Sequence, residues 1–507
     1  MAIGPWDPGS YELVRFALLR GVALIYLVAF TVALRQYRPL CGEDGLMPLD
    51  DYRERRSFRE RPSLFYYLEG DRWVAGLAGV GVVGSALALG GAPGLLSGWS
   101  AIAAHVALWL LLWALYLSFT NAGQLFYGYG WESMLCETGF LCVFLGPPTV
   151  AAPAVVVWLF RWLLFRNMVG AGLIKLRGDD CWRDLTCLDY HYETQPMPNP
   201  LSWYVHHAPS WFHKLGVATN HVVEIAVPFL YFAPQPIASV AGVASIGFMG
   251  WLILSGNFSW LNVLTAIQAF SLFDDATVTA VLPIANPEFP AAPPAFQYAT
   301  YGLALLVLAL SYHPVRNMIS SRQVMNAGFD PLNLVNTYGA FGSITKTRYE
   351  VVVEGSRAEQ PAGDEDWEPY LFHGKPTATD RRPPQVAPYH HRLDWQMWFA
   401  AMRRSPRRSP WFVHLCAKLL VADEPTLSLL RADPFDGEPP RHVRAVRYRY
   451  RYTTPDERRD TGDWWVRERV GPYYGPVSRG DVELRRTLER SGWTETVAAL
   501  DATETDT

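Results

Sequence analysis

The chain has 507 residues, 50% hydrophobic and only 18% charged, with a formal net charge of −4. This average is too apolar for one soluble protein and too charged for a bundle lying wholly in a bilayer. The small acidic excess argues against nucleic acid as a partner, since phosphate binding needs a clear basic excess or patch, and six cysteines in a chain this long do not make a disulfide scaffold.

Two unlike halves account for the average. Up to about residue 315 the chain is a series of apolar runs of membrane length, and after about 330 it is dense in Arg, Asp, Glu and Pro. A span needs roughly 20 apolar residues. Leu13–Leu34 supplies the first, read as a retained helix because no basic stretch precedes it and no small-residue cleavage site closes it. Arg15 and Arg20 near its start are expected to snorkel. A polar segment follows over 35–72. It holds GEDGLMP at 42–48, where Glu43 and Asp44 stand in a tight turn closed by Pro48, and RERRSFRERPS, a solvated and self-paired run. Trp73–Ala92 and Trp99–Phe119 are the next spans. NAGQLFYGYGWESMLCE then breaks the apolar pattern. Its Glu132 and Glu137 are five apart and do not share a tight helical face. Trp131–Gly146 is short, and Val150–Leu176 is a full span.

Val150–Leu176 carries Arg161, Arg166 and Lys175. A charge at the centre of a span costs about 2.5–3.5 kcal/mol on insertion scales, so such residues face a partner or a wet cavity. The helix runs into a polar loop over 177–214 that holds Cys181, Trp182, Asp184, Cys187, Tyr190, His191, Tyr192 and Glu193. The junction of this helix and loop is the expected working site. Cys181 and Cys187 are either free thiols or a structural bridge; their spacing is neither the CxxC redox motif nor a zinc spacing. His206, His207 and His213 lie in the aromatic run SWYVHHAPSWFHK, as expected of a membrane-interface belt. Their spacing does not match a helical HExxH pair, and no metal or cofactor is expected. Val217–Ala233 follows, with His221 and Glu224 at i and i+3, placed to face each other as an intramembrane polar pair. Pro236–Ser255, the short Trp260–Phe273 and Ala295–Tyr312 complete eight or nine transmembrane helices in a domain spanning 1–315.

Beyond His313 the membrane pattern stops. YEVVVEG, WEPYLFHGKP, HVRAVRYRYRYTT and WWVRERVGPYYGP alternate as strands do, whereas HHRLDWQMWFAAM and PWFVHLCAKLLVADEPTLSLLRADP have helical spacing. The expected fold class is a polytopic α-helical membrane bundle plus a C-terminal α+β, β-rich soluble domain over 330–492, with a disordered tail over 493–507. RYRYRY suits a half-exposed strand with Arg on one face better than an RNA-binding patch.

CWRDLTCLDYHYETQPMPNPLSWYVHHAP at 181–209 resembles the hallmark loop of the lipase maturation factor family. GEDGLMP, NAGQLFYGYGWESMLCETGFL at 121–141, NTYGAFGSITKTRYEVVVEGS at 336–356 and RLDWQMWFAA at 392–401 resemble it too, in the family's order and over about 90% of the chain. The resemblance implies an integral, multi-pass membrane protein in contact with lipid. It further implies a chaperone-like factor that helps clients such as secreted lipases to fold or assemble. The client would be held by the loop residues Cys181, Trp182, Asp184, Tyr190, Tyr192 and Glu193 and by the C-terminal domain. It also implies the endoplasmic reticulum membrane, or the cell membrane in a prokaryote.

A second resemblance is more distant. AGLIKLRGDDCW is similar to the lysine-bearing stretch of vitamin K-dependent carboxylase, which implies a membrane enzyme acting on a lipid-soluble or peptide substrate. Lys175 would be its base, assisted by His191 or by the His221 and Glu224 pair. The alternative for Lys175 is a cation that closes a helix against its dipole. Nine spans place the segment 35–72, the loop 177–214 and the soluble domain on one side. The opposite loops lack Lys and Arg, so the positive-inside rule puts that motif-rich side in the cytoplasm, whereas the resemblance puts it in the lumen.

Overall fold

Inside a bilayer every backbone polar group must be satisfied within the protein, so the apolar runs can cross only as helices. In the computed structural model, which describes residues 10–505, seven helices are long and apolar enough to do so. They are α1 (Glu12–Cys41), α2 (Asp71–Gly90), α3 (Gly98–Ala122), α5 (Ala154–Arg177), α6 (Ser210–Phe232), α7 (Ile237–Ser255) and α9 (Pro294–Ile319). Two shorter elements complete the bundle. They are α4 (Gly130–Cys142), buried over most of its length, and α8 (Leu261–Leu272). Residues 1–9 and 506–507, the outer ends of the expected membrane domain and tail, lie outside the described residues.

At one end of the bundle, α1 begins without a capping side chain on Tyr11. Asp275, from the other end of the membrane domain, caps it instead, accepting from the Glu12 and Leu13 amides at 2.6 and 2.9 Å. Arg15 does not snorkel as expected. It is 1% exposed and donates to the Val150 carbonyl at 2.6 Å, because Glu12 beside it supplies a partner inside the bundle. Arg20 turns to the Ala88 carbonyl.

The other end gathers the motif-rich segments. Gln124 donates to the Met47 carbonyl, Arg177 to the Met318 carbonyl, and Asn257 to the carbonyls of Pro198 and Pro384. The C-terminal domain sits here. Its sheet is antiparallel, in the order β2 (Glu368–Pro369), β1 (Arg348–Ser356), β3 (His442–Tyr452), β4 (Trp465–Ser478). Period-two alternation holds in β3: Tyr448, Tyr450 and Tyr452 are buried, whereas Arg449 and Arg451 are exposed. The tyrosines pack with Val352, Trp465 and the loop residue Trp203. The opposite face meets α10 (Arg392–Ala401) and α11 (Pro410–Leu420). WEPYLFHGKP forms only the two-residue β2, with Leu371 bridging to Ala432. The tail expected to be disordered from 493 is instead helical over Thr494–Thr505, because Trp493 stacks on His414 and Leu500 is buried.

Candidate functional site

Lys175 is not a cation closing a helix end. It sits in the last turn of α5 but turns inward, 5% exposed. Its Nζ lies 2.6 and 2.8 Å from the two Glu224 carboxylate oxygens and 2.9 Å from Asn220 Oδ1. Three acceptors therefore take up the three hydrogens of the ammonium. The Trp182 ring lies over Nζ at 5.1 Å from its centroid.

The local sequence explains this placement. Pro228 has no N–H to give the Glu224 carbonyl, so regular α geometry cannot pass through that point of α6. The helix widens into a π-turn over Val222–Ala226, with the Val227 amide reaching back to the Val222 carbonyl, and then tightens to a 3₁₀ segment over Val227–Phe232. Such π-turns concentrate at functional sites. The expected mutual pairing of His221 and Glu224 does not form. The wide turn lies between them, so Glu224 serves Lys175 while His221 Nε2 bonds the Trp182 carbonyl at 3.0 Å. The sequence GAG on α5 completes the fit. A Cβ at Gly172 would stand 2.5 Å from Ile225 and 3.1 Å from the Glu224 Cβ, and one at Gly170 would stand 2.4 Å from the Tyr338 carbonyl oxygen. Only hydrogen at these positions lets α6 on one side and the 336–342 segment on the other approach so closely.

The ion pair lies on the wall of a chamber of about 970 Å³. Helices α5 to α8 form its sides; Tyr338 and Phe341 of the linking segment, with Trp395, Trp398 and Phe399 of α10, form its roof. Most of the lining is apolar. His191 also lines it, stacked on Phe258 at 6.0 Å and edge-on to Phe341 at 5.3 Å. Burial, and secondly the charge of Lys175, push the His191 imidazole down to about 4, so it is neutral at pH 7.

Of the other residues singled out in the sequence, Trp182 and Tyr192 reach the chamber. Cys181 is disulfide-bonded to Cys187 beside Trp182, whose indole donates to the Phe341 carbonyl. Tyr190 carries Lys346 over its ring, and Asp184 is exposed away from the chamber. Glu193 accepts from the Tyr452 amide at 2.8 Å and ties the loop to β3. Glu43 and Asp44 lie elsewhere: Glu43 exchanges bonds with Asp71, and Asp44 pairs with Lys418 of α11 at 2.9 Å. Among the described residues no group of three or more His, Cys, Asp or Glu is placed to hold a metal. Sequence reasoning missed Asn220, Asn262 and the α10 tryptophans. Pro228 and the small residues of GAG were the available signals.

Two sequence comparisons bear on this geometry. The lipase maturation factor transmembrane domain matches residues 13–280, and the lipase maturation factor C-terminal domain matches residues 334–475. The chain belongs to the lipase maturation factor family. Lipase maturation factor 1 of Bos taurus is 43% identical over 94% of this chain and 90% of its own length. The Homo sapiens protein of that name is 42% identical over 96% of this chain and 91% of its own length. Lipase maturation factor 2 of Homo sapiens is 30% identical over 96% and 85%. No solved structure matches. The chamber is built where the family's two domains meet: α5 to α8 belong to the first matched region, and Tyr338, Phe341 and α10 to the second.

Proposed function

We propose that this multi-pass membrane protein is a maturation factor that assists the folding or assembly of secreted clients, lipases among them. The observation that carries this reading is the identity to proteins named lipase maturation factor, which runs through both domains rather than through the membrane part alone. The client-holding surface differs from the one read in the sequence. Cys181, Trp182 and Tyr192 are buried, whereas Tyr204 of the same loop and Trp211 in the first turn of α6 are 49% and 65% exposed. Exposed aromatic groups of this kind suit transient contact with apolar client surface.

The motif-rich end faces the lumen of the endoplasmic reticulum, or the outer face of a prokaryotic cell membrane. The Cys181–Cys187 disulfide supports this side, because disulfides persist in oxidising compartments and are rare in the cytosol. It outweighs the positive-inside argument, since long loops and domains translocate largely regardless of charge. A membrane enzyme is the second reading, carried by the chamber beside Lys175 and His191. A base role for Lys175 would require Glu224 to release it first.

The test is a host lacking its own copy, co-expressing a secreted lipase. Membrane-inserted protein and active secreted lipase are both scored. Tyr204→Ser with Trp211→Ser should leave the protein level intact and lower lipase activity several-fold. Unchanged lipase activity in that variant, or in cells without the protein, would sink the client reading. Full loss of activity with Lys175→Met/Glu224→Met at normal protein level would favour the enzyme.

A further inference from the structure

A cavity inside a membrane domain is informative when its walls carry polar groups that the protein itself leaves unpaired. Asn262 and His191 on the chamber wall are such groups, beside Asn220, whose Nδ2 also lacks a partner among the described residues. Asn262, on the first turn of α8, is 95% buried, being 5% exposed, and its amide has no hydrogen-bond partner among the described residues. The ring nitrogens of His191 likewise have none. An amide that opens on an apolar chamber without a protein partner is free to bond a ligand head, and its place in an apolar wall marks where that head would sit.

Charge in the chamber narrows the class. Lys175 and Glu224 neutralise each other at 2.6 Å. Arg177 is exposed at the rim, bound to the Met318 carbonyl and to Gln323. Away from this rim a charged head would be desolvated with no free counter-charge, so a neutral one fits beside Asn262 and His191. The mouth gives the source. The Val222–Phe232 half of α6 packs on α7, whereas the Ser210–His221 half diverges from it, and Phe212 and Trp251 meet edge-on across the gap at 5.8 Å. Leu215, 58% exposed, and Gly247 line this opening, which lies between two spans. A chamber of about 970 Å³ is of the size that holds one small ligand.

We infer that the chamber binds one neutral, single-chain amphiphile taken from the bilayer, its hydroxyl or ester head bonded by Asn262 and His191 and its hydrocarbon lying along α6 and α7. This goes beyond the client reading and is measured without a client.

The test uses the purified full chain in nanodiscs and three probes of one chain length: 1-monooleoylglycerol, oleic acid at pH 8 and oleylamine. Native mass spectrometry should show saturable retention of one monooleoylglycerol per chain, with both charged probes at least tenfold weaker. Asn262→Leu should weaken retention about tenfold, and His191→Phe, which keeps the stacking on Phe258 and Phe341, several-fold. No saturable binding, equal retention of all three probes, or full retention by both variants would overturn the inference. If either variant misfolds, Gly247→Phe decides. An added Cβ there meets nothing within 4 Å, so the ring fits in the mouth. Loading from monooleoylglycerol vesicles should slow several-fold in it, and an unchanged rate would also overturn the inference.

Discussion

Arg392 of the C-terminal domain and Glu132 of the membrane domain form an ion pair at 2.8 Å in which both side chains are fully buried. Arg392 also donates to the Phe126 carbonyl and lies over the Tyr127 ring at 3.4 Å. The two domains are therefore joined through a shared interior rather than by a linker. Breaking a buried pair from one side leaves an uncompensated charge and costs about 3–5 kcal/mol. Arg392→Ala should lower the melting temperature of the whole chain, read by fluorescence-detected size exclusion in detergent. Arg392→Met with Glu132→Gln should recover most of the loss. Melting of the single variant at the wild-type temperature would refute a shared interior.

The same logic applies to Lys175 and Glu224. Lys175→Ala alone should destabilise by about 3–5 kcal/mol, since it strands Glu224, and the Lys175→Met/Glu224→Met double variant should be markedly more stable than either single change. A thermal double-mutant cycle measures the coupling. Additive effects would show that the residues do not interact.

Gly172→Leu should separate α5 from α6, because its side chain would meet Ile225 and Glu224. Overpacking of this kind costs about 1–3 kcal/mol. Gly76→Ala is the control: it lies within α2, and a Cβ there meets nothing within 4 Å. The control should melt at or slightly above the wild-type temperature, and the test is the difference between the two.

Thiol counting checks the disulfide and, through it, the compartment. Cys41, Cys136, Cys142 and Cys416 are free and buried. In denaturant without reductant, maleimide labelling of protein taken from membranes should modify these four alone. After reduction it should modify all six cysteines of the chain. Six labels before reduction would place the loop in a reducing compartment.

Acid should weaken the soluble domain through His414. Burial, and then the charge of Lys418, push its imidazole down to about 3 from an unfolded value near 6.5. Below the unfolded value the unfolded chain takes up a proton that the folded chain refuses. Stability is thus fully present above about pH 6.5 and is lost as pH falls toward 3, at up to about 1.4 kcal/mol per pH unit. His414→Phe should flatten the dependence of melting temperature on pH between 6.5 and 5. An unchanged slope would remove His414 as a cause.

Hydropathy and strand alternation are local properties, and the local sequence carried them. The spans, the short elements at 130–142 and 261–272, the alternation of β3 and the division between Glu132 and Glu137 are all readable residue by residue. The two carboxylates go to different partners, Glu132 to Arg392 and Glu137 to Arg166, Tyr338 and Asn336. That Lys175, His191, Trp182 and Tyr192 lie together was legible because a cation in a span beside a polar loop calls for a partner, and they line one chamber.

What only the tertiary structure decided is which partner each buried charge finds. His221 and Glu224 stand three apart on a regular helix, and the turn forced by Pro228 sends them to different neighbours. Arg392 meets a carboxylate 260 positions away, and Asp275 caps a helix 263 positions before it. No periodicity encodes such distances. They follow from which faces can approach, and glycines such as Gly170 and Gly172 set that approach by leaving room for another backbone.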